Sequence, residues 1–108
     1  MKRILALLLS ALAVGVQAQV VGTFDNTRLL TEDMNLASGD WLSGMRECFL
    51  SRGAPITTTG TLTASYLSGV TVFFTSEFIN QVPSDDEVAA VVAWVQAGGT
   101  LVVTGECG

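Results

Sequence analysis

Two kinds of residue in this chain could do chemistry: a cysteine at the end of a strand-like segment, and acids spaced to meet where strands end. Cys107 stands in Gly105-Glu106-Cys107-Gly108. A cysteine nucleophile needs a base to form thiolate near neutral pH, most often a histidine held by an acid. The chain has no histidine, so these residues alone are not expected to catalyse anything. Asp25, Glu77 and Glu106 each follow a segment that reads as a strand, so they could converge as oxygen ligands for calcium or magnesium. Acids also cap strand ends for solubility alone, and neither a metal nor any other cofactor is expected. The same rim, Asp25, Asn26, Ser76, Glu77, Glu106 and Cys107 with the loop 27–39, is the expected surface for a small polar ligand or sugar.

The elements that must position this rim are clearest at the end of the chain. Val70-Thr71-Val72-Phe73-Phe74-Thr75-Ser76 is β-branched and aromatic on both pleat faces, as a strand covered on both sides would be. Ser84-Asp85-Asp86-Glu87 has the spacing of a capping box and puts three acids at the positive end of a helix dipole, so a helix should start at Ser84. Val88, Val91, Val92 and Val95 fall at i, i+3, i+4 and i+7 as one apolar stripe, and Gly98-Gly99 supplies a C-terminal cap. Trp94 lies off that stripe and is expected to pack on a neighbouring helix. Thr100-Leu101-Val102-Val103-Thr104 then reads as a second buried strand, which completes a right-handed βαβ crossover.

Upstream, a first strand is expected over 20–25 and a polar loop over 27–39, with a helical turn near 29–34. Trp41, Leu42, Met45, Cys48 and Phe49 recur at helical spacing, so a helix should span 40–52 and stop at Gly53. Pro55 opens a short, more polar strand over 55–59, which suits an edge position. A turn or so of helix follows over 62–67. The order β-α-β-α-β-α-β, without repeats, specifies one α/β domain with a parallel sheet.

Lys2-Arg3, the apolar run 4–16 and Val16-Gln17-Ala18 have the three regions of a secretory signal, so residues 1–18 are expected to be removed and 19–108 to form the single domain, secreted or periplasmic. The apolar run is shorter than the roughly 20 residues of a membrane span, which argues against a retained anchor. Losing Lys2 and Arg3 leaves three of the five basic residues against ten acids, a net charge of −7. That charge excludes nucleic acid and anionic membrane surfaces as natural partners. A strand at 100–104 that is apolar on both faces would leave an edge uncovered. Either the sequence continues past 108, or a protein partner covers that strand.

The strand ending in Asp25, the helix to Gly53, "LTASYLSGVTVFFTSE", the acid-capped helix and "WVQAGGTLVVTGECG" together resemble the flavodoxin-like domain of the class I glutamine amidotransferase-like superfamily, nearest to its non-catalytic secreted members. The resemblance implies a three-layer fold of strand order 2-1-3-4, four strands of it visible here, with any ligand site at the carboxyl ends of the strands. Catalytic members carry Gly-x-Cys-x-Gly on a tight strand-to-helix turn. Here Gly108 follows Cys107 directly, so the match stops where the oxyanion-binding backbone should begin. Thr57-Thr58-Thr59-Gly60-Thr61-Leu62-Thr63 resembles the phosphate loop of flavodoxins, but it follows the second strand and has Leu62 where a hydroxyl is wanted, so it is read as a turn.

Two exported cysteines invite a Cys48–Cys107 disulfide, which would add roughly 4 kcal/mol. Geometry opposes it, because Cys48 would lie about eight residues, or roughly 12 Å, down its helix while Cys107 sits at the top of a strand. Cys48 is instead expected as small core filler beside Trp41 and Met45. These residues point to a secreted, non-catalytic α/β domain that binds or scaffolds. The competing expectation is the N-terminal part of a secreted amidotransferase-like or hydrolytic enzyme whose base lies beyond residue 108.

Overall fold

The computed structural model of the chain describes residues 18–105. The leader expected over 1–18 falls almost wholly outside them, as do Glu106 and Cys107. Four strands form one all-parallel sheet in the order β2-β1-β3-β4: β1 is Val21–Phe24, β2 Ile56–Thr59, β3 Val72–Ser76 and β4 Thr100–Thr104. Among the described residues, the helices of the α type are α1 (Ser43–Ser51), α2 (Ala64–Leu67) and α3 (Asp85–Gln96). Two 3-10 turns, Asn26–Arg28 and Glu32–Met34, lie in the long first loop. This is an α/β fold with helices flanking a parallel sheet, consistent with the flavodoxin-like class, and β2 takes the edge that its proline and polar residues suit. Among the described residues, no helix is long and apolar enough to cross a membrane.

Register fixes which residues share a face. Val21 pairs with Ile56 and Val72, and Phe74 with Val102, so one face carries Val21, Ile56, Val72, Phe74 and Val102. Leu36, Ala54 and Phe49 of α1 pack on that face. The opposite face carries Phe24, Phe73, Leu101 and Val103 and is covered by α2 and α3. Phe24 and Phe73 meet edge to face with centroids 5.2 Å apart. On this face Gly22 admits Tyr66, whose hydroxyl would stand 2.7 Å from a Cβ there.

Each long helix is rotated from the face its apolar spacing implies. In α1 the inward residues are Leu42, at its N-cap, and Phe49, while Trp41 is 65% exposed and both Met45 and Cys48 face solvent. Cys48 is therefore a free surface thiol and not core filler. The cause is Arg46: its Nη1 donates to Leu36 O at 3.3 Å and Gly39 O at 2.9 Å, which fastens that side of α1 to the first loop. The capping box of α3 forms as its spacing implies, with Glu87 N donating to Ser84 Oγ and Ser84 N to Glu87 Oε1. Gly98, at φ +114°, ends the helix in a conformation that favours glycine. The inward residues of α3, however, are Glu87, Ala90, Val91 and Trp94. Val88, Val92 and Val95 are left about half exposed.

Candidate functional site

The carboxyl ends of the strands, where the expected rim lies, are organised by a buried ion pair, Arg28 with Glu87, that sequence reasoning missed. Arg28 and Glu87 are both buried, and Arg28 Nη1 donates to Glu87 Oε2 at 2.7 Å. The same nitrogen donates to Gly60 O at 3.0 Å, Nη2 to Gln81 O at 3.3 Å, and the guanidinium lies 4.6 Å above the Phe24 ring. Glu87 also accepts from Leu62 N at 2.9 Å and from Ser84 N at 3.1 Å. Burial by itself would raise the Glu87 carboxyl, but the Arg28 hydrogen bond, the two backbone N–H groups and the Arg28 charge together lower it from 4.5 to about 2. One carboxylate thus ties the loops after β1, β2 and β3 to the first turn of α3.

Above this pair the loops after β1 and β3 join each other. Leu29 and Ile79 form an antiparallel bridge, Leu30 N donates to Phe78 O at 3.1 Å, and Asn80 Nδ2 donates to Thr27 O at 2.9 Å. The seam between β1 and β3 is the place where strand order reverses and where an open α/β sheet usually receives a ligand. Here Arg28, Leu29 and Ile79 fill it.

The four rim residues among the described ones, Asp25, Asn26, Ser76 and Glu77, are each engaged locally. Asp25 Oδ1 caps the first 3-10 turn, accepting from Thr27 N at 3.0 Å and from the Thr27 hydroxyl, and its second oxygen faces Gly60 on the β2 side. Asn26 Oδ1 accepts from Asn35 Nδ2 at 2.7 Å. Ser76 is buried, and its hydroxyl accepts from Phe78 N, which closes the turn after β3. The Glu77 carboxylate lies over Gly105 on the β4 side. Asp25 and Glu77 thus lean in opposite directions from the seam, and among the described residues no three of His, Cys, Asp and Glu are grouped to hold a metal ion. The Thr57–Thr63 loop serves local structure: Thr57 Oγ1 lies 2.7 Å from Tyr66 Oη, and Thr63 Oγ1 accepts from Tyr66 N to cap α2.

The open surface of the molecule is elsewhere, between α3 and β4. Trp94 Nε1 donates to Val70 O at 3.0 Å, and with Glu87 one turn pair earlier it pins α3 at both ends of its inward face. The valines are therefore turned toward β4, and Val88, Val92, Ile79, Phe73, Leu101 and Val103 line a groove of about 310 Å³. Beyond it, β4 pairs only with β3 among the described residues. Leu101, Val102 and Val103 are all exposed, Val103 to 61%. No protein-family model, curated protein or solved structure matches the chain.

Proposed function

We propose that this chain is an exported, non-catalytic α/β module that binds a protein partner, and that it does so along α3 and β4, where the partner adds a strand to the β4 edge. The observation that carries the reading is the combination of an apolar groove with an adjoining strand whose outer edge is unpaired among the described residues. A strand edge presents a row of backbone donors and acceptors, and natural sheets blunt such edges with lysine, proline or bulges. β4 has none of these, and its three central side chains are apolar. Exposed apolar area of this kind, beside a free edge, is what strand addition uses: the backbone supplies affinity and flanking apolar positions supply selectivity. The filled β1–β3 seam and the absence of histidine from the sequence favour binding over catalysis. The strand order 2-1-3-4 is compatible with kinship to non-catalytic glutamine amidotransferase-like domains, as it is with flavodoxin-like folds in general. A small polar ligand at the Asp25 rim is the weaker reading, since those side chains already serve local turns.

The flank is tested with the neutral solvatochromic dye Nile red. Blue-shifted emission on adding the full chain, abolished by Val88→Lys with Val92→Lys and kept in Val82→Lys, is expected, because Val82 is 83% exposed and lies outside the groove. Emission indifferent to Val88 and Val92 would overturn the reading.

A further inference from the structure

We infer that the strand added at β4 is β4 of a second copy, paired antiparallel about Val102 so that two four-stranded sheets join into one. This rests on the reading of the α3–β4 flank as the contact surface, and it names the partner.

The backbone sets the register. Thr100 N donates to Thr71 O, and Thr104 O accepts from Glu77 N, so Thr100 and Thr104 turn their peptide groups toward β3. Strand alternation turns Val102 the same way and leaves the N–H and C=O groups of Leu101 and Val103 pointing off the open edge. An antiparallel pair centred on Val102 sets Leu101 opposite Val103 of the other copy, and Val103 opposite its Leu101. These are the hydrogen-bonded positions such a ladder requires, and Val102 meets its own counterpart at the closer, non-hydrogen-bonded position.

The side chains fit the same register. Thr-Leu-Val-Val-Thr reads alike in character from either end of β4, so threonine faces threonine and each of the three central positions faces an aliphatic residue. No charge lies within Thr100–Thr104, so no like charges are opposed. A two-fold axis perpendicular to the sheet also puts both copies of α3 on one face. The exposed Val88 and Val92 of each copy, which share a groove with Leu101 and Val103, then lie on that face. Parallel addition of the same edge would need a one-residue offset between the copies and could not be two-fold symmetric, whereas the antiparallel contact is self-complementary.

Sedimentation equilibrium of the full chain, from nanomolar to high micromolar, tests the inference. A reversible dimer is expected, reduced to monomer by Val102→Lys, which would oppose two ammonium groups across the axis. In a Cys48→Ser, Cys107→Ser background, Val102→Cys should cross-link to itself under mild oxidation. Leu101→Cys and Val103→Cys should cross-link with each other when mixed but not alone, because like positions would lie about 7–8 Å apart. A monomer at every concentration, or a dimer indifferent to Val102→Lys and not cross-linked at 102, would overturn the inference. If the chain is monomeric yet binds Nile red through Val88 and Val92, only the second copy is refuted. If it is monomeric and the dye ignores those valines, the flank reading falls as well.

Discussion

Glu87→Gln should cost the domain roughly 3–3.5 kcal/mol at neutral pH and progressively less in acid. The carboxyl titrates near 4.5 in an unfolded chain and at about 2 in the fold, and each pKa unit is worth about 1.4 kcal/mol. Because the folded value is the lower one, the unfolded chain binds this proton first. The stabilisation is complete above about pH 4.5 and drains away as the pH falls toward 2. Glutamine keeps the shape and one backbone acceptor but leaves the Arg28 guanidinium buried without its counter-charge, which is the costly way to break such a pair. Arg28 Nε already lacks a partner among the described residues, so little local slack is available to it. The assay is urea unfolding of wild type and Glu87→Gln at a series of pH values from 7 to 2.5. The gap between the two should narrow steadily below pH 4.5. A gap that stays constant across the series, or one under about 0.5 kcal/mol at pH 7, would refute the assignment of Glu87 as the tie between three loops and α3.

Two further outcomes bear on how the helices are seated. Gly99→Ala would drive a methyl into the Trp94 indole; a loss of about 1–3 kcal/mol with red-shifted tryptophan emission is expected, and an unchanged unfolding midpoint would show that the indole does not lie there. In a Cys107→Ser background, Cys48 should react with a disulfide reagent in the native state about as fast as a model thiol, and Cys48→Ser should change stability by less than about 0.5 kcal/mol. Slow labelling would return Cys48 to the core.

The strands and their parallel sense were legible because they rest on short-range signals: unbroken apolar runs, a capping box at Ser84 and glycine at 98; their order, a non-local property, was implied only by the resemblance to flavodoxin-like domains. The rotation of the helices was not legible. Spacing alone groups Trp41, Met45 and Cys48 as naturally as Leu42 and Phe49, and it groups Val88, Val92 and Val95 as naturally as Ala90, Val91 and Trp94. What decides between the groupings is a polar tie to a distant residue. Arg46 reaches the carbonyls of Leu36 and Gly39, Glu87 reaches Arg28, and Trp94 reaches Val70. The last two partners are 59 and 24 positions away in sequence. Among the described rim residues, Asp25 and Glu77 are turned apart for a related reason. Strand ends bring Asp25 and Glu77 to one edge of the sheet, but the loops that cross that edge, joined at Leu29 and Ile79, determine which way each carboxylate leans. The single signal that could have pointed to the clasp was the isolated Arg28 ahead of two leucines in an otherwise acidic chain.

The most direct measurement is amide hydrogen exchange along β4, followed residue by residue at low and high protein concentration. The Val102 amide should be protected at both, since it is committed to β3. The Leu101 and Val103 amides should exchange freely when dilute, gain protection as concentration rises, and lose that gain in Val102→Lys. Leu101 and Val103 amides that exchange at the free-peptide rate at every concentration would contradict a second copy at this edge.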